Sequence, residues 1–259
     1  MLNFTDLVAQ YPPPLRGFQR YILREYLQTK LLAIIFSSPI GSKLAFIGGT
    51  ALCLIYHNSR FSEDIDFDNF DLTESDFTAL SQSIQTKLQA EGYTVEIKNV
   101  HKGAYRCYIR FPHLLFKLGL TPIEEEKILI QLDSAAHYFD YQPKTHLLNK
   151  FDIFTPIRVT PLDILLSQKL LAAFSRRTPK GRDFYDIVFL LSLTKPNYAY
   201  LKAKLTIDTD VTLRQKLFNH IKSYDFTALA QEVRPFLFNP TDSQRVQYFP
   251  DYFKTVALK

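Results

Sequence analysis

The sequence contains no tryptophan, one methionine, two cysteines and eight glycines among 259 residues. Cys53 and Cys107 show no metal-type spacing and both stand in apolar context, which predicts reduced core thiols and a cytoplasmic protein. Long apolar runs are also missing. Runs such as Leu31–Phe36 and Ile187–Leu191 fall far short of the roughly 20 residues that a membrane helix needs. The opening segment MLNFTDLVAQ lacks a basic stretch followed by an apolar one, so a secretory signal is not expected. No internal repeat and no low-complexity linker interrupts the chain.

A hydrophobic content of 46% supplies a sizeable core, enough for one large domain or two modest ones. The 22 phenylalanines and 15 tyrosines are expected mostly inside it. A net charge of +5 leans towards a polyanionic partner and is compatible with nucleic-acid binding, as it is with many ordinary enzymes.

Periodicity predicts an amphipathic helix over Leu15–Ile35, after the Pro12–Pro14 block. Leu44–Ile47 reads as a buried strand, followed by a turn and a helix ending near His57, and Ile65–Phe67 as a second strand. Thr73 and Asp76 have capping-box spacing, with Gly92 as the stop of that helix. Thr94–Val100, Tyr105–Phe111 and Lys127–Asp133 read as strands, the first two joined by a hairpin at His101-Lys102-Gly103. From Thr160 the pattern becomes helical, with Thr160 as N-cap, Pro161 at the first helical position and Asp163 three residues after the cap. The expected fold class is α+β: a small mixed sheet in residues 1–155, then a helical domain in residues 156–259.

Chemistry concentrates in FIGGTALCLIYHNSRFSEDIDF, Phe46–Phe67. Alternation along a strand sends Asp64 and Asp66 to one face, with Ile65 and Phe67 on the other. Adjacent carboxylates repel unless a cation lies between them, and magnesium prefers such hard oxygen donors. A solvated strand edge is the bland alternative. Asp68 continues the same face, either as a further contributor to that site or, more simply, as a strand end in solvent. Gly48-Gly49-Thr50 joins a strand to a helix, where free N–H groups favour an anion; its bland reading is a tight turn that binds nothing. No Gly-Lys-Ser/Thr follows it, so this is not a Walker loop. Turn and acids together call for nucleotide chemistry. Asp133, ending KILIQLD, is either a third acid for the same metals or a turn cap.

The helical half supplies cations. Lys169 and Arg176 share the margin of an apolar stripe, either snorkelling or directed at a triphosphate. Asp183 and Asp186 lie one turn apart beside the core stripe, with Lys169 and Arg176 as natural partners, so ion pairing alone accounts for all four.

The order GGTALCLIY…RFSEDIDF, then LLSQKLLAAFSRRTPKGRDFYDI, resembles the nucleotidyltransferase toxins of the AbiEii/AbiGii type, with their MenT relatives. The resemblance covers most of the chain. It implies a polymerase-β-like nucleotidyltransferase domain, Gly48, Gly49 and Thr50 holding the nucleotide, and Asp64 and Asp66 binding Mg²⁺. Asp133 would be a further metal ligand, by its place at a strand end. The family's lysine maps onto Lys169, and its Arg-Asp-x-x-Asp motif onto Arg182, Asp183 and Asp186, of which Asp183 is the favoured catalytic acid. Arg60 matches the arginine before the acidic segment, in a substrate-binding or structural role.

What the resemblance implies in function is transfer of a nucleotide from a nucleoside triphosphate to RNA, in characterised members the tRNA 3′ end, which blocks translation. It also implies a place in phage defence and a possible cognate antitoxin. The alternatives are a small-molecule or protein hydroxyl as acceptor, or a catalytically silent nucleotide- or RNA-binding module.

Overall fold

The computed structural model describes residues 3–101, 103–136 and 138–259. Of the expected hairpin turn, Lys102 lies outside the described residues. Within-chain contacts divide the protein into two compact units. One comprises the residues up to Tyr56 with Phe61–Val159, and the other His57–Arg60 with Thr160–Lys259.

The first unit contains α1 (Phe4–Ala9), α2 (Gln19–Phe36), β1 (Leu44–Ile47), α3 (Gly48–Tyr56), β2 (Ile65–Asn69) and α4 (Glu74–Ala90). After these come β3 (Glu96–His101), β4 (Tyr105–Phe111), α5 (Leu114–Lys117), β5 (Ile128–Ala136), β6 (Lys144–Lys150) and β7 (Ile153–Val159). The strands form one seven-stranded mixed sheet in the order β3-β4-β5-β2-β1-β7-β6. β1 runs parallel to β7, and β2 parallel to β5; the other neighbours are antiparallel. The α+β class expected from the sequence is thus observed, in a larger sheet.

Period-2 alternation sets the two faces of that sheet. Phe46, Ile65, Phe67, Cys107, Ile109, Ile130, Leu132 and Ile157 point to one side. There they join Leu27, Leu31, Ile35, Phe77, Leu80 and Ile84 of α2 and α4 in a continuous core. Each such side chain contributes about 1.5–3 kcal/mol on burial. Cys53 and Cys107 are both buried and form no disulfide, and burial pushes the Cys107 thiol up to about 12.

Two expected helix starts move. Pro13–Leu15 form a separate 3-10 turn, so the helix predicted from Leu15 begins at Gln19. Pro161 takes the N-cap position of the next helix, and Thr160 is buried one residue further out. By contrast Thr73 and Asp76 make the full capping box, and Gly92 ends that helix at φ +87°.

The β6–β7 hairpin was not legible. Its outward residues include exposed Leu147 and Phe154, which blur the apolar–polar alternation, and Pro156 reads as a strand breaker. The β1–β7 ladder is short, with Phe46 opposite Val159, so Pro156 sits in β7 beyond the end of β1.

The second unit is helical: α6 (Leu162–Ser175), α7 (Gly181–Leu191), α8 (Tyr198–Leu205), α9 (Asp210–Ile221), α10 (Phe226–Val233), α11 (Gln244–Gln247) and α12 (Phe249–Thr255). Phe184 of α7 is a hub of its core, meeting Phe226 and Phe249 edge-on at 5.0 and 4.9 Å between ring centroids. Residues 57–60 belong here because Arg60 bridges to Leu237 and Ser59 accepts a backbone hydrogen bond from Phe238. No helix among the described residues is long and apolar enough to cross a membrane.

Candidate active site

In the first unit, β1 delivers the chain to Gly48, whose φ of +78° is costly for any residue with a β-carbon. β2 runs antiparallel alongside, with Asp66 opposite Ile47. A β-carbon built on Gly48 would stand 2.3 Å from Asp66 Oδ2, so the glycine makes room for that carboxylate. Thr50 Oγ1 donates to the backbone carbonyl of Asp64, and Thr50 is buried. That hydroxyl therefore ties the turn to the acidic segment. Gly48, Gly49, Thr50, Asp64 and Asp66 form one locus, assembled by the β1–β2 pairing.

Asp133 lies across from Asp66 in the parallel β2–β5 register, and Arg106 across from Asp133 in the β4–β5 register. The three side chains form a row on the outer face of the sheet. Asp133 Oδ1 accepts from Arg106 Nε at 2.8 Å and Oδ2 from Gln131 Nε2 at 2.7 Å. The hydrogen bond to Asp133 raises the Arg106 pKa above its ordinary value. Asp68, expected at a strand end in solvent, is instead buried and accepts the Tyr141 hydroxyl at 2.7 Å. Tyr141 comes from the segment before β6, which covers the strand end.

Asp64 and Asp66 supply hard oxygen donors suited to a divalent cation, and the room left by Gly48 keeps the Asp66 carboxylate at the turn. Among the described residues, no three His, Cys, Asp or Glu side chains are grouped closely enough to hold a metal. Asp133 is adjacent in the row, with its carboxylate engaged by Arg106.

The second unit gathers a buried charge cluster. Arg60, 1% exposed, donates Nε to Asp186 Oδ1 and Nη2 to Oδ2, each at 2.7 Å, a two-pronged pairing. Asn58 Nδ2 donates to the same Oδ1 at 2.9 Å. Lys169 Nζ lies 2.8 Å from Asp186 and 3.1 Å from Asp183, and Arg176 Nε 2.6 Å from Asp183. Burial works to raise the Asp186 pKa, but Arg60 and Lys169 outweigh it and hold the carboxyl at about 2. Burial likewise opposes the Lys169 ammonium, and Asp186 with Asp183 overcomes it, raising that pKa.

Asp183 and Asp186 each take two cations, so four of the residues singled out in the sequence meet here with Arg60. Arg182 is half-buried and has no ion pair among the described residues. Sequence reasoning missed Asn58, Arg106 and Glu232, whose carboxylate accepts the Gly181 N–H at 2.6 Å at the start of α7. A β-carbon on Gly181 would collide with the Leu229 carbonyl at 2.0 Å, which keeps α7 and α10 close. Strand register brings Arg106 to its partner, helix packing Glu232, and the 57–60 segment Asn58.

This order of strand, glycine turn, acidic strand and buried lysine–acid helix pair agrees with a family model. The model described as nucleotidyl transferase AbiEii toxin, type IV TA system, matches residues 30–252. The chain belongs to this family. It is accordingly a nucleotidyltransferase of a toxin–antitoxin type, and nucleotidyltransferases generally use divalent metal ions.

The solved structure of JHP933 from Helicobacter pylori is similar, with TM-score 0.56, 17% identity and 91% of each chain covered. A second H. pylori structure, provisionally described as a nucleotidyltransferase, has TM-score 0.52 and 15% identity, covering 91% of this chain and 97% of that one. At these identities the likeness shows a shared fold. No curated protein matches the chain.

Proposed function

We propose that this nucleotidyltransferase moves a nucleotide from a nucleoside triphosphate to RNA, at the 3′ end of tRNA, and so blocks translation. The observation that carries the reading is the seating of the Asp66 carboxylate against Gly48, with Thr50 bound to the Asp64 carbonyl. A phosphate-shaped turn and paired acids occupy one locus, as phosphoryl transfer requires. The basic charge of the chain supports a polyanionic acceptor.

Asp64 and Asp66 would hold Mg²⁺, with Asp133 as a third ligand once its carboxylate leaves Arg106. The ion, when bound, supplies charge stabilisation to the transferring phosphoryl group. The protein's own part is to keep Asp66 beside the turn and to present backbone N–H groups of Gly48 and Gly49 to phosphate. In the second unit Lys169 and Arg176 are engaged by Asp183 and Asp186, and Arg182 keeps the substrate-binding role that the family motif implies. We assign Asp183 and Asp186 to holding those cations. A cytoplasmic site of action, a role in phage defence and a cognate antitoxin belong to the same reading.

The test is direct. Purified protein is incubated with Mg²⁺, each radiolabelled NTP in turn, and either total RNA or lysate protein. Label in the RNA fraction that disappears on ribonuclease treatment is expected. Label confined to protein or to small molecules overturns the RNA acceptor.

A further inference from the structure

One strip of the first unit is unaccounted for by the chemistry above. β3 and β4 form the end of the sheet next to β5, and their inward residues Ile97, Cys107, Ile109 and Phe111 pack on the core. Their outward residues differ sharply from that set. Lys98 stands opposite Tyr108, Val100 opposite Arg106, and Glu96 opposite Arg110. Lys98 is exposed and Arg110 partly exposed, and neither has an ion pair among the described residues. Glu96, the one acid on this outer strip, is neutralised by Lys127 at 2.7 Å. The Arg110 guanidinium lies over the Tyr108 ring, 5.5 Å from its centroid.

This strip runs directly into the acidic row, because Arg106 is opposite Asp133 and Asp133 is opposite Asp66. Strands are about 4.8 Å apart and residues about 3.4 Å along them, so Arg110 lies roughly 14 Å along β4 from that row. Uncompensated cations beside a flat tyrosine–arginine stack suit a sugar–phosphate backbone with unpaired bases. A protein partner would have to supply its own acids to every cation, and a duplex would hide the base faces that the stack can cover.

We propose that the β3–β4 strip of Lys98, Arg106, Tyr108 and Arg110 binds the single-stranded 3′ segment of the acceptor RNA and leads it to Asp66. This rests on the RNA reading of the acceptor. Lys98 and Arg110 meet phosphates, Tyr108 stacks a base, and Arg106, opposite Asp133, meets the incoming strand where it reaches the acidic row.

Binding is read without transfer, by anisotropy of a 5′-fluorescein single-stranded RNA of about 10 nucleotides, without NTP, across a salt series. The Lys98→Ala, Arg110→Ala double variant is compared with a charge-matched Lys117→Ala, Lys222→Ala control. Lys98, Lys117 and Lys222 are exposed and Arg110 partly exposed, and circular dichroism checks folding. The strip variant is expected to bind about tenfold more weakly, with a log–log salt slope shallower by about 1.4. Tyr108→Leu should weaken binding while leaving the slope unchanged. Equal affinity of strip variant and control overturns the proposal, as does wild type that binds no single-stranded RNA. Transfer in the same preparations separates the two readings. Wild type that labels RNA while the strip variant keeps its KM for RNA overturns the strip alone. Strip-dependent binding without any RNA labelling upholds the strip and overturns the acceptor.

Discussion

Asp66 Oδ2 occupies the space beside Gly48 that a β-carbon would need, at 2.3 Å, and Gly48 itself sits at φ +78°. A glycine at the β1–α3 turn thus makes room for a carboxylate on the neighbouring strand β2. Gly48→Ala should lose about 1–2 kcal/mol from backbone strain and also displace Asp66, abolishing transfer. Gly92 has φ +87° with open space around it, so Gly92→Ala isolates the strain. Melting temperatures should fall in both, with transfer per folded molecule lost only at Gly48. Equal transfer in the two variants would refute the seating argument.

Asp64→Asn with Asp66→Asn should eliminate transfer while leaving the protein folded, since both side chains are only partly buried. A chelator should abolish wild-type transfer and Mg²⁺ restore it. Expression of wild type should arrest growth of a bacterium without the antitoxin, and the double variant should not. The variant raises the net charge by about two units, so non-specific RNA binding should be equal or stronger in it. Equal toxicity at equal expression would defeat the catalytic account of harm.

The Lys169 side chain, a partner of two acids, is 14% exposed, whereas the Arg176 side chain is 41% exposed. Lys169→Ala leaves Asp183 and Asp186 facing each other with less compensation. It should cost about 3–5 kcal/mol in urea unfolding, against about 0.2–1 kcal/mol for Arg176→Ala. Similar losses in both variants would contradict the assignment of Lys169 to the cluster.

Asp186 has its folded pKa lowered from 3.8 to about 2, with burial opposing and Arg60 and Lys169 prevailing. A lowered carboxylate pKa contributes stability that is complete above the unfolded value and is lost as pH falls through the folded one. The stability gap between wild type and Asp186→Asn should therefore be flat down to about pH 4 and shrink towards about pH 2. Denaturant midpoints across that range check it. A gap that stays constant below pH 4 would show that the pairing with Arg60 and Lys169 does not lower this group.

Much of this was legible because local physics suffices for it. Alternation placed Phe67 and Ile65 inside, capping spacing placed Thr73 and Asp76, and the Gly-Gly pair marked the β1–α3 turn. The β6–β7 hairpin escaped because Leu147 and Phe154 face outward and Pro156 mimics a breaker. Asp68 was misread because only the fold lays Tyr141 over it.

The sequence alone determined which residue types could do chemistry and which elements carry them, since spacing sets the face of a strand or helix. Tertiary structure decided the partners. Register, which no single strand encodes, put Arg106 rather than solvent against Asp133, and the bridge to Leu237 seated Arg60 on Asp186, 126 positions away. Desolvation makes those choices consequential, because a charge removed from water must find its counterion wherever the fold has placed one.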